Sequence, residues 1–411
     1  MTLLLLAVFR IGAHIPTPGI NGEALSALFA RAGGNLLGFF DMFTGGALQK
    51  LTVFGLGVMP YISASIILEL LTVVIPHLGE LKKQGTEGRA KITKYTRYFT
   101  VVISMFQGFA IAVGLESMEG GAIVMQGGMM FRIMTALTLT TGTVFLMWLG
   151  ERITNFGIGN GMSMIIMAGI ICSIPNAISK TVVNFKNGYI ELIPLVLAAA
   201  IIVFSLIAIV FMETSQRRIP IQYVRKATMG GRMQSANSYL PLKLNPAGVI
   251  PIIFASTIVT LPPTLATFIP SLQGLSQFFT NSWVYYIIQL VFIIFFTYFY
   301  TSIIFNPTDI AENIQKSGGV IHGKRPGEAT ASFIDYVLSR LTFVGALYLA
   351  IVAVVPQLIV SAFKLPFYFG GTSVLIVVGV GLDMIQKIES HLITNNYDGF
   401  LSKGRIRGRN G

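Results

Sequence analysis

The chain has 411 residues, of which 53% are hydrophobic and only 11% charged, with 29 Lys and Arg against 17 Asp and Glu for a net charge of +12. Soluble domains carry roughly 25% charged residues, so a soluble fold of this length is excluded for want of polar side chains to cover it. A single cysteine, Cys172, excludes a disulfide framework, and the four histidines, His14, His77, His322 and His391, lack metal-ligand spacing.

A helix needs about 20 apolar residues to cross about 30 Å of hydrocarbon. Ten segments meet or approach this: Met1–Ile15, Thr52–Ile75, Thr96–Leu115, Met130–Leu149, Ile158–Ile178, Leu192–Met212, Ala247–Phe268, Trp283–Phe305, Ile334–Val355 and Thr372–Ile388. None alternates apolar and polar residues as a barrel strand does, and lipid offers the backbone no hydrogen-bond partner, so helices are expected. Met1–Phe9 has no basic residues ahead of it and no cleavage site after it. It reads as a clipped span whose cytoplasmic approach is missing, not as a removed signal peptide. Ahead of the second span, Asn35–Leu48 (NLLGFFDMFTGGAL) is apolar but too short to cross, and Gly45-Gly46 breaks it from the span. It is expected to be re-entrant or interfacial. Prolines at 60, 175, 251, 262 and 263 fall inside expected spans, so the second and seventh are expected to bend. The glycine run Gly157–Gly161 opens the fifth span and follows no strand. Close helix packing suits it better than a phosphate loop.

Basic residues set the orientation. Most lie in alternate loops or at their rims: Lys82, Lys83, Arg89, Lys91, Lys94 and Arg97; Arg152; Arg217, Arg218, Arg225, Lys226, Arg232 and Lys243; Lys316, Lys324, Arg325 and Arg340; and Lys387, Lys403, Arg405, Arg407 and Arg409. This side is cytoplasmic by the positive-inside rule. Both termini then lie inside, which requires an even number of spans. The two longest cytoplasmic loops, Glu213–Leu244 and Asn306–Phe333, far exceed ordinary connections and read as a partner-binding platform.

Charges inside the bilayer usually mark function. Glu69, Asp335, Arg340, Asp383 and Lys387 fall toward cytoplasmic ends and Arg132 near the start of its span, which leaves Arg10 as the exception. An ion-coupled solute transporter would show midplane charges or broken helices. A membrane-embedded enzyme would show a nucleophile–base or metal constellation, and none is present.

Several ordered segments resemble the SecY family of protein-conducting channels: Gly45–Val74, Gly157–Ile170, Gln216–Tyr223, Asn245–Ser256, Ser317–Thr330 and Phe369–Asp383. The resemblance implies an all-α polytopic membrane protein with ten transmembrane helices in two inverted five-helix halves around a central pore. The halves would be residues 1–178 and 179–389, followed by a basic cytoplasmic tail at 390–411. It implies translocation of unfolded secretory polypeptides, lateral release of transmembrane segments into lipid, no enzymatic activity and no cofactor. It also implies an apolar pore ring of Val58, Ile62, Met162, Ile166, Ile253 and Ile376. Within it, Val58 with Ile62 and Met162 with Ile166 are i,i+4 pairs that can face one axis. Leu36, Leu37, Phe39, Phe40, Met42 and Phe43 would form a plug, and Gln107 and Asn160 polar contacts at a lateral gate. Arg217, Arg218 and Arg325 would bind partners. The implied partners are SecE and SecG subunits, the SecA motor ATPase or a ribosome, a signal sequence or nascent chain, and lipid. The implied location is the bacterial plasma membrane. His322 and Lys324 stand where this family usually has Pro and Ile, and Met162 replaces a more usual isoleucine.

Overall fold

A computed structural model of the chain describes residues 1–22, 24–26, 41–117, 124, 127–188, 191–223, 237–268, 282–362 and 370–403. Each of the ten expected segments carries a helix. They are α1 (Thr2–Gly12), α2 (Met59–Val74), α4 (Thr86–Ser117), α5 (Met129–Phe156), α6 (Gly161–Lys186), α7 (Leu192–Thr214), α8 (Ile250–Phe268), α9 (Ser282–Ile304), α11 (Glu328–Ala362) and α12 (Gly371–Lys403). Two short helices, α3 (Pro76–Lys83) and α10 (Pro307–Lys316), and three strands, β1 (Gln216–Tyr223), β2 (Asn237–Lys243) and β3 (Gly319–Ile321), lie between them. Among the described residues, seven helices are long and apolar enough to cross a membrane, or eight when the pair α2–α3, bent by 101°, is counted as one span. The shorter apolar stretches Thr2–Gly12 and Ile250–Val259 occupy the first and seventh expected positions.

The second span departs from expectation. Its helix begins at Met59 and places Pro60 in the first turn, where a missing N–H costs nothing and a fixed φ favours the helix. Pro60 therefore does not bend it. The sharp change of direction falls at Ile75, which is extended ahead of Pro76, because a residue before proline avoids the α region. Lys82 reaches back across this bend to Glu69, at 3.6 Å. Pro251 likewise sits in the first turn of α8, whereas Pro175 is interior to α6. The side chains of Pro262 and Pro263 lie outside the described residues.

The chain divides into two compact units, Met1–Ala177 with Ile376–Gly411, and Ile178–Leu375. In the first, α5 is the spine. Leu139, Leu146, Leu149 and Ile153 are fully buried along one stripe of it, at the spacing of a helical seam. Small residues let backbones touch there. A Cβ on Gly108 of α4 would stand 3.1 Å from the Cα of Ala136 on α5, and one on Gly142 would run into the Val53 carbonyl. Hydrocarbon gives helices no hydrophobic drive to associate, so such close van der Waals contact carries the packing. Segment 13–17, after α1, lies along segment 51–53, through Val53 N–H to Ile15 C=O at 3.0 Å and Thr17 N–H to Leu51 C=O at 3.1 Å.

In the second unit α9 packs between α8 and α11, and α7 packs on α11. Phe254 meets Phe296 and Tyr300 edge-on across α8 and α9. The strands form an antiparallel sheet in the order β2-β1-β3, an addition that the sequence patterns did not announce. Ile219, Ile221, Leu242 and Ile321 face inward onto Ile314 of α10 and Ile334, Val337, Leu338 and Leu341 of α11. Asn306 caps α10 by accepting from Thr308 N–H at 3.2 Å, with Pro307 in its first turn.

Gly142→Ala is expected to destabilise the first unit by about 1–3 kcal/mol through overpacking against the Val53 carbonyl. A lowered thermal midpoint of detergent-solubilised protein would show it, and an unchanged midpoint would refute the close contact.

Candidate functional site

All six pore-ring candidates are buried apolar side chains. Val58 immediately precedes α2, and Ile62 stands one turn later, its N–H bonded to the Val58 carbonyl at 3.1 Å. Met162 and Ile166 stand one turn apart at the start of α6. Ile253 is in the first turns of α8, and Ile376 lies early in α12. Ile253 belongs to the second compact unit and the other five to the first.

Of the glycine run at the start of α6, Gly157 and Gly161 pack tightly, whereas Gly159 faces open space. A Cβ on Gly161 would enter the Gly150 carbonyl of α5. Asn160 is the cap of α6, its side-chain oxygen accepting from Met162 N–H at 3.0 Å. This bond fixes the entry of the helix that carries Met162 and Ile166. Gln107 is half-buried on α4. Of the plug candidates, Leu36, Leu37, Phe39 and Phe40 lie outside the described residues. Met42 and Phe43 are buried on a single helical turn, residues 41–44. Asp41 accepts from Gln49 N–H at 2.7 Å, which folds the chain after that turn back on itself.

The basic platform has a defined scaffold. Arg217 and Arg218 are exposed on β1, and the Arg218 guanidinium lies 4.9 Å from the ring centre of Tyr239 on β2. β3 runs antiparallel to β1 and leads into the turn that exposes Arg325. Thr330, in the first turn of α11, donates to the Arg325 carbonyl at 2.8 Å and so ties that turn to the helix. Lys324 stands over the Phe333 ring at 5.4 Å. Arg225, Lys226, Arg232, Arg405, Arg407 and Arg409 lie outside the described residues.

Most of the charges flagged along the spans find local partners. Arg132 pairs with Glu116 at 2.6 Å, and Asp383 with Lys387 at 3.1 Å. Arg340 stacks on Tyr336 at 4.4 Å, and Arg10 donates to the Gly45 carbonyl at 2.7 Å. Two polar contacts escaped the sequence reading. Glu213, at the end of α7, accepts from the buried Asn245 side chain at 2.7 Å, and that amide also donates to the Gly248 carbonyl at 2.9 Å. This clasp joins the α7 exit to the α8 entrance beneath the sheet. Its only sequence signal was an Asn-Pro pair between two apolar runs. Among the described residues no cluster of His, Cys, Asp and Glu is placed to hold a metal ion.

The SecY family model matches residues 52–385. The protein translocase subunit SecY of Escherichia coli K12 is 45% identical over 412 residues, covering 98% of this chain and 93% of its own. A solved SecY channel, described as one whose plug domain stabilises the closed state and maintains a membrane seal, has a TM-score of 0.68 at 17% identity, covering 96% of this chain and 91% of its own. Sec61 in the canine ribosome–channel complex has a TM-score of 0.63 at 16% identity, with the same coverages. Both structures share the fold.

Ile219→Asp is expected to put a carboxylate into the apolar seam beneath β1 and raise limited proteolysis of segment 216–243 roughly tenfold or more. Gln222→Asp, on the outward face, should leave cleavage unchanged. Equal cleavage of both variants would overturn the assigned register.

Proposed function

The chain belongs to the SecY family, and from this premise we propose how it conducts polypeptides. It is a multi-pass membrane channel subunit that passes unfolded secretory chains across the bilayer and releases transmembrane segments sideways into lipid. It catalyses no covalent reaction. The carrying observation is that the six ring positions, spread over four helices and the lead-in to one of them, are all apolar and all shielded from solvent.

An apolar constriction excludes ions because water leaves a narrow greasy passage, and an ion entering it loses its hydration shell. The same side chains carry no fixed charge, so a passing polypeptide meets no strong site that would hold it. Val58, Ile62, Met162, Ile166, Ile253 and Ile376 form this seal in our reading. Met162 gives it a flexible, polarisable member. Residues 35–48 serve as the plug on the outer side, and Gln107 and Asn160 contribute polar contacts at the lateral gate. Domain boundaries follow the two halves, 1–178 and 179–389, with the tail at 390–411.

Partners dock on the cytoplasmic sheet. Arg217 and Arg218 are exposed on β1 and Arg325 in the turn that follows β3, and guanidinium groups suit both acidic protein surfaces and RNA phosphates. A ribosome-bound neighbour of the same fold supports a ribosome as one such partner. SecA is the other, with SecE and SecG as companion subunits. The positive-inside pattern supports a bacterial inner-membrane location with both termini cytoplasmic.

Ile62→Asn should raise the ion conductance of the idle channel in planar bilayers several-fold, because a polar side chain rewets the constriction; an unchanged conductance would remove Ile62 from the seal. Arg325→Glu should cut SecA- or ribosome-dependent transport several-fold in reconstituted vesicles while idle conductance stays at the parent value. Full transport by this variant would sink the docking role.

A further inference from the structure

Arg10 is the charge that the apolar spans leave unexplained. It lies in the last turn of α1, half-buried, and makes no ion pair with a carboxylate among the described residues. Its Nη1 donates instead to the main-chain carbonyl of Gly45 at 2.7 Å. Burying a guanidinium is unfavourable unless it is hydrogen-bonded, so this contact is a demanding one for the fold to keep.

Gly45 and Gly46 follow the 41–44 helical turn with φ of 69° and 87°, a backbone that reverses the chain and that side-chain-bearing residues resist. Gly45 is also clamped from the far side. A Cβ on it would stand 3.1 Å from the Cα of Gly169 in α6 and 3.4 Å from Arg10 Nη1. The notch is mutual, for a Cβ on Gly169 would stand 2.7 Å from the Phe43 carbonyl. Gly169 falls three residues past Ile166 and seven past Met162, so the notch shares a helix face with those two ring positions.

We propose that Arg10 is a positioning residue that pins the Gly45–Gly46 turn into the Gly169 notch and so holds segment 41–50 in the idle channel. This rests on the channel reading above for its conductance readout alone. Removing the guanidinium leaves the turn its internal bonds, from Gly45 N–H to the Met42 carbonyl and from Gly46 N–H to the Asp41 carbonyl, but seats it against α6 by van der Waals contact alone. Residues 41–50 then loosen, while residues 51–53 stay tied to segment 13–17 through the Val53–Ile15 and Thr17–Leu51 bonds.

The test uses the full chain in lipid vesicles with Cys172→Ser as parent and two single-cysteine reporters at fully buried alanines. Ala47→Cys lies just beyond the turn and Ala112→Cys lies on α4. Arg10→Met should speed maleimide labelling of Ala47→Cys roughly tenfold, leave Ala112→Cys protected and raise idle conductance. Arg10→Lys, which keeps a cationic donor group, should restore part of the protection. Protection of Ala47→Cys unchanged by Arg10→Met would overturn the pin. Equal exposure of Ala112→Cys would overturn it too, in favour of a general packing role. The Ile62→Asn conductance serves as the separate control. If it is silent while labelling changes as expected, the channel reading fails and the pin stands.

Discussion

Hydrocarbon cannot hydrogen-bond, and the rest of the architecture depends on that. Each peptide group inside the bilayer must find its partner within the protein, so the apolar runs are helices wherever they are long enough. Where the backbone leaves the helix, its polar groups are met in specific ways. The carbonyls of Ile15 and Leu51 accept from Val53 and Thr17, Thr44 Oγ1 accepts from Leu48 N–H, and Asn160 caps the entry to α6. The hydroxyls of Thr100, Ser256, Thr257, Thr297 and Thr301 donate back to carbonyls one turn earlier in their own helices, which gives these five donors a partner inside the bundle.

The same solvent removes the hydrophobic drive between helices, so shape must replace it. The first unit answers with glycines set against backbone, as at Gly108, Gly142 and Gly161. The second uses aromatic rings at α8–α9 and, outside the bilayer, an ordinary aliphatic core under a small sheet. Water drives that last assembly at roughly 25 cal/mol per Å2 of apolar surface buried. One polypeptide thus folds by two sets of rules, and the changeover occurs within single helices. At about 1.5 Å per residue, α4, α5, α11 and α12 are each longer than the roughly 30 Å hydrocarbon layer, and α4, α5 and α12 carry the pairs Arg97–Glu151 and Asp383–Lys387.

Much of the fold was legible in the sequence because a span is a composition rather than a pattern: twenty apolar residues announce themselves. Helix ends were less legible. Thr52–Val58 is as apolar as a span, yet glycines at 55 and 57 and the proline at 60 delay the helix to Met59. Composition cannot tell a proline that starts a helix from one that bends it. The sheet was illegible for a related reason. β1, QRRIPIQY, places isoleucines at alternate positions but surrounds them with arginines and a proline, so topology accounted for its charges first. Ring positions could be named only by resemblance, since a buried valine or isoleucine in a pore and one in a helix seam have the same chemistry. Arg10 was legible as an anomaly. Its partner was not, because a main-chain carbonyl leaves no trace in side-chain identity.

The span of α11 carries a mechanical consequence. Its first turns form the floor of the three-stranded sheet through Ile334, Val337, Leu338 and Leu341, and its later turns bury Ala346, Leu349 and Ala353. The helix is continuous between these two sets. A load placed on the sheet by anything gripping Arg217 or Arg325 therefore meets no soft joint before the membrane. The sheet is the handle of a lever whose working arm is already inside the lipid.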